Sequence, residues 1–213
     1  MAWLAALGVC LMAVRRAEPG RLRALLKFPR PDGVTLALLA ASALVLVVTG
    51  VVAVVTPPNN WDVLDYHLPR QIYWMQQGGV GIFPSSDFRQ IAFAPFAEYV
   101  GLHLMTLSAG DAYANMVQWG AFLLSAVAAS LVARNLGGGR GQALAALLLV
   151  TIPAAAMEAS NAKNDVVAGF FVLALAVFTT EVLRDRSCPP SLAVLIGASG
   201  RTRVHPSTRS TAS

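Results

Sequence analysis

The sequence predicts an all-α protein: a polytopic transmembrane helix bundle with a long extracytoplasmic first loop containing interfacial helices. Three observations carry that expectation. Of 213 residues, 56% are hydrophobic and only 13% charged, and the mean hydropathy is +0.60, too apolar for a soluble domain that must cover its surface with polar groups. The apolar residues fall into long uncharged runs separated by short basic loops. The basic residues lie between those runs and form no single face with interleaved aromatics, so the net charge of +5 and the pI near 9.8 report membrane topology and imply no nucleic-acid partner. Cys10 sits in an apolar segment and Cys188 in a basic loop, too few and too differently placed for a disulfide framework or a metal knuckle.

Residues 2–14 are apolar but short for a hydrocarbon core that needs about 20 helical residues, so they form at most a short span. They lack the basic start and small-residue cleavage site of a secretory signal. Arg15, Arg16, Arg21, Arg23, Lys27 and Arg30 follow in one loop, which marks the cytoplasmic side. Residues 34–56 are the clearest span. Pro57-Pro58 stops it, since proline cannot donate a backbone hydrogen bond, and the loop 57–115 is therefore extracytoplasmic. Spans are expected at 116–133, 141–157 and 166–183, with the Arg134 to Arg140 loop and Arg184-Asp185-Arg186 inside. An odd number of crossings must separate the loop after Pro57 from Arg134, and 116–133 supplies that one. The apolar residues 91–109, which contain Pro95, Glu98 and His103, then return to the side they left as an interfacial or re-entrant helix. Residues 1–190 thus form one membrane portion. Residues 191–213 read as an aborted span and a polar tail, and the expectation is an incomplete or frame-shifted reading of a longer protein.

Among the cations, only Arg70, Arg89 and Lys163 fall in external loops, whereas Asp62, Asp65, Asp87, Glu98, Asp111, Glu158 and Asp165 all gather there. Asp62, the first acid after the span, can take a proton from a hydroxyl arriving from the aqueous side, as a general base does; as a helix N-cap it would have a purely structural role. Asp65, about one turn away, competes with it. Asp165 opens the last span, where an acid also suits the helix dipole, and Glu158 reads as a rim charge. A lipid phosphate needs a cation, and guanidinium is the better bidentate partner, so Arg70, Arg89 and Lys163 are binding candidates. Tyr66, Trp61, Trp74, Tyr73 and Phe83 suit an interfacial aromatic belt and secondarily a sugar-stacking surface. His67 and His103 lack metal-ligand spacing, and no Walker A, GxSxG or CxxC sequence occurs.

Three stretches carry a family resemblance: Trp61-Asp62-x-x-x-Tyr66-His67-x-Pro69-Arg70, Phe93-x-Pro95-x-x-Glu98-Tyr99, and Pro153 leading through Asn164-Asp165 to a span with Phe170-Phe171. Together they resemble the N-terminal part of the C-type-fold integral-membrane glycosyltransferases, the superfamily of protein O-mannosyltransferases and lipid A aminoarabinose transferases. The resemblance covers residues 34–186. It implies transfer of a sugar from a polyprenyl-phosphate donor to a hydroxyl on a lipid, glycan or protein acceptor at the outer face of the cell membrane. Asp62 matches the catalytic acid of the first loop and Asp165 the second acidic position. Tyr66, His67, Arg70, Arg89 and Lys163 are the implied substrate-binding residues. Glu98 looks like the acid that some members use near a divalent metal. The family pairs two adjacent acids in the first loop, whereas Val63 follows Asp62 here, which leaves the choice between Asp62 and Asp65, and metal dependence, open. Two other classes stand beside this one: a transporter or channel fragment using membrane-edge carboxylates, and an inactive truncated membrane protein.

Overall fold

The computed structural model describes residues 31–138 and 141–184. The chain divides into two units, Met1–Ala37 and Leu38–Ser213; of the first, the described residues are those that open helix α1. There Asp32 Oδ1 accepts from the Thr35 amide at 2.9 Å, an N-terminal cap. The expected short span 2–14 and the tail 191–213 lie outside the described residues.

All regular structure among the described residues is helical. The order is α1 (Gly33–Val55), a π-helical turn (Val63–His67), α2 (Leu68–Gln77), α3 (Arg89–Ala92), α4 (Phe96–Ser108), α5 (Met116–Asn135), α6 (Gln142–Val150), α7 (Pro153–Glu158) and α8 (Asp165–Arg184). Three of these, α1, α5 and α8, are long and apolar enough to cross a membrane. They match the expected spans 34–56, 116–133 and 166–183 within two residues. The expected span 141–157 is not one continuous helix: it is two short ones, Gln142–Val150 and Pro153–Glu158. Pro153 lacks the amide that would continue α6 and disfavours a helical conformation in the residue before it, and Ile152 is extended at φ −64°, ψ 115°.

The polar bonds between helices fix their directions. Asn115, at the start of α5, donates to Ala53 O at 3.3 Å and Thr56 O at 3.0 Å, the end of α1. Gln118, one turn on, bonds to the α7–α8 turn. At the other end of α5, Asn135 Nδ2 lies 3.1 Å from Thr180 Oγ1 of α8, and Arg134 pairs with Glu181 at 3.5 Å. Helices α5 and α8 therefore run parallel, α1 runs against both, and α6 with α7 carries the chain back along the length of α5. Small residues allow the close approach. Phe122, Ala126, Ala146, Val150 and Ala159 form one buried cluster, flanked by Val45 and Leu46 of α1. Gly50 sits where a Cβ would meet the Trp119 indole at 2.8 Å, and that indole donates to Leu46 O at 3.0 Å. Helix α5 buries 33% of its apolar stretch against 17% for α1 and 11% for α8, so α5 is central and the other two present apolar faces outward.

Residues 57–115 form the layer at the α1–α5 junction. Helix α4, with 13 residues, spans only about 20 Å, short of a core of about 30 Å. It ends at Ala109 in the left-handed conformation, φ 54°.

Candidate functional site

Asp62 immediately precedes the π turn, and the sequence explains the turn. Proline at 69 cannot bond to the carbonyl four residues back, and its ring crowds that carbonyl. The helix widens instead, with the Leu68 amide reaching back to Val63 O, and the freed Asp65 carbonyl accepts from Gln90 Nε2 at 2.9 Å. Asp62 makes no side-chain capping bond, so the N-cap role weighed for it is not realised. Its carboxylate lies 3.6 Å from Lys163 Nζ. The same ammonium is 3.0 Å from Asp165 and 3.4 Å from Glu158. Two acids 103 residues apart in the chain thus share one nitrogen.

Lys163 is only 15% exposed. Burial works against its charge, but the hydrogen bond and charge of Asp165, followed by Glu158, outweigh this, and its pKa is pushed up to about 12. Tyr66 packs beside the group. Burial first, then the negative charge of Asp62 and, more weakly, Asp165, raises its hydroxyl above the ordinary phenol value against the opposing Lys163 and Arg89.

Asp65 belongs to a different cluster. Arg89 Nη2 bonds to Asp65 and to Asp87 at 2.8 Å, while its guanidinium lies 4.8 Å over the Tyr66 ring. The Asp87 hydrogen bond, with the Asp65 bond behind it, holds Arg89 above the usual arginine value, and the Arg89 bond holds Asp87 below the usual carboxylate range. Of the two first-loop acids, then, Asp62 meets Asp165 and Asp65 meets Arg89. The guanidinium expected to bind phosphate is engaged by two carboxylates.

His67, Arg70 and Glu98 are buried together at 1%, 1% and 2% exposure. Arg70 donates to Gln90 O, Phe93 O and Arg89 O at 2.5, 2.9 and 2.6 Å, which ties down the turn after α3; every guanidinium nitrogen has a carbonyl. Glu98 Oε1 takes His67 Nδ1 at 2.7 Å and Arg70 Nη1 at 3.5 Å. These residues do not fit a divalent metal. A guanidinium already neutralises the carboxylate, and among the described residues no three His, Cys, Asp or Glu side chains stand in a metal-holding group. Buried His67 Nε2, Gln71 Oε1 and Glu98 Oε2 have no protein partner. Their residues line, with Lys163, a cavity of about 10 Å³, the size at which a single water satisfies such groups.

A separate cleft of about 120 Å³ is walled by Trp74, Ile82, Phe83, Ile91 and Tyr99. Trp74 and Tyr99 stack at 5.2 Å, and the indole N–H is engaged by Gly81 O at 3.0 Å. It shares no residue with the Lys163 cluster.

No family model, no curated protein and no solved structure matches the chain. Glu158, expected as a rim charge, supplies the third carboxylate of the cluster; its five-residue spacing to Lys163 is the signal in the sequence. Gln118, which pins both ends of the turn carrying Lys163, gave no signal, since an amide inside an apolar run resembles any other polar interruption.

Proposed function

We propose that the chain acts as a membrane glycosyltransferase, moving a sugar from a polyprenyl-phosphate donor to a hydroxyl acceptor on the extracytoplasmic side. The observation that carries this reading is the convergence of Asp62 and Asp165 on Lys163 at one end of the packed helices. Asp62, 38% exposed, is open to an incoming hydroxyl. In the reaction Asp62 takes the acceptor proton as the acceptor oxygen attacks the anomeric carbon. The bond from that carbon to the phosphate oxygen breaks with inversion, and polyprenyl phosphate leaves with the electron pair, its low basicity removing the need for an acid catalyst. Lys163 orients the base and joins the two acidic segments. In this reading α1, α5, the α6–α7 pair and α8 each cross the bilayer, and the segment from Pro57 to Asn115 lies along its outer surface with α4 at the interface. A carrier would place such acids within its spans near the midplane; these lie at helix ends, which favours the enzyme.

The test is incubation of membranes bearing the protein with a radiolabelled polyprenyl-phosphate sugar, followed by identification of the labelled product. Asp62→Asn is expected to abolish transfer while membrane insertion is unchanged. Transfer retained by that variant overturns the assignment of the base.

A further inference from the structure

We propose that Asn115 and Gln118, one turn apart at the start of α5, are the positioning residues that set the separation of Asp62 and Asp165. Neither touches a carboxylate of the cluster; each acts through the backbone that carries one.

Gln118, fully buried, uses both ends of its carboxamide. Nε2 donates to Glu158 O, the last residue of α7, at 3.2 Å. Oε1 accepts from the Val166 amide at 2.7 Å, one of the first amides of α8 and therefore one with no carbonyl in its own helix. The bonds close off the turn from Glu158 to Val166, within which Lys163 and Asp165 lie. Asn115, 1% exposed, holds the other segment through its Nδ2 alone. Its Nδ2 holds Ala53 O and Thr56 O, and Pro57-Pro58 then leads stiffly toward Asp62. One helix end thus grips both acid-bearing segments.

The residue type follows from the electrostatics. At 118 a carboxamide offers a donor and an acceptor on separate atoms without charge, as the two opposed bonds of Gln118 require. A carboxylate at 118 would oppose the Glu158 carbonyl and add to three acids, while a lysine would compete with Lys163 for them. With water excluded, these bonds hold their geometry more firmly than exposed ones.

The test reads spacing directly and needs no catalysis. In a background with Cys10 and Cys188 replaced by serine, cysteines are placed at Trp61 and Asn164, which flank the cluster and leave it intact, and a short bis-maleimide is applied in native membranes. The parent is expected to cross-link, and Gln118→Met to lose cross-linking severalfold with insertion and helix content unchanged. Gln118→Glu, nearly isosteric, keeps the acceptor for Val166 but sets an oxygen against Glu158 O, and it is expected to lose cross-linking as well. The variant Thr180→Val, which removes the Asn135 bond at the far end of α5 and lies in neither segment, is expected to cross-link like the parent. Undiminished cross-linking in both Gln118 variants overturns the proposal, as does an equal loss in Thr180→Val.

A kinetic arm rests on the glycosyl-transfer reading: kcat should fall on the order of 100-fold at near-constant KM, the scale of a misplaced reacting group. Cross-linking lost in the Gln118 variants, with no transfer by any version, supports the positioning role and sinks only the glycosyltransferase.

Discussion

Replacing Lys163 by methionine removes the one cation shared by Asp62, Glu158 and Asp165 while keeping most of its buried stem. The raised pKa sets the scale. Moving from the ordinary 10.5 to about 12 corresponds to about 2 kcal/mol of preference for the charged form in the folded state. Because the folded value lies above the unfolded one, this stabilisation is complete below the ordinary lysine value and disappears only as pH rises through about 12. The difference between parent and variant should therefore be constant across the neutral range. For a chain of this size a loss of about 2 kcal/mol lowers Tm by roughly 4–8 °C. The assay is thermal unfolding in lipid nanodiscs, repeated with Lys163→Met/Asp165→Asn, where removing one of the unpaired acids should restore part of the loss. A Lys163→Met variant within about 0.5 kcal/mol of the parent would mean that the cluster behaves as an ordinary exposed ion pair, and the argument for a rigid common anchor would fail.

Two further outcomes follow from packing. Arg70→Lys keeps the charge but offers one nitrogen where three carbonyls are now satisfied, so the loss should be on the order of 2–5 kcal/mol from carbonyls left without a donor; proteolysis should open the segment between Gly78 and Phe96, and resistance equal to the parent's would contradict the clamp. Gly50→Leu must displace the Trp119 indole from its bond to Leu46, at about 1–3 kcal/mol for overpacking; unchanged tryptophan emission and Tm would show that α1 and α5 are not held at this point.

The long helices were legible because an uncharged apolar run bounded by basic residues or paired prolines leaves few alternatives, and α1, α5 and α8 begin and end close to where that pattern does. The break at Pro153 was not, because the residues on either side are equally apolar and hydropathy does not register a missing amide. Within the site, the meeting of Asp62 and Asp165 was expected from counting crossings, and their carboxylates do reach one nitrogen. Nothing in the local sequence separated Asp62 from Asp65; that depended on Arg89, 24 residues away. The partners of Arg70 were hidden for the same reason. An arginine beside an aromatic loop has the composition of a ligand-binding group, and only the approach of the Gln90 and Phe93 carbonyls turns it inward.

The wide turn before α2 also fixes an angular phase. In an α-helix each residue advances about 100° around the axis, and a π turn accommodates one residue more than an α turn. Shortening the stretch from Val63 to His67 by a single residue would swing everything N-terminal to it around α2 by about that angle, carrying Asp62 away from Lys163 while leaving the rest of the chain in register. The proline at 69, by forcing the wider turn, therefore sets the compass bearing of an acid seven residues upstream.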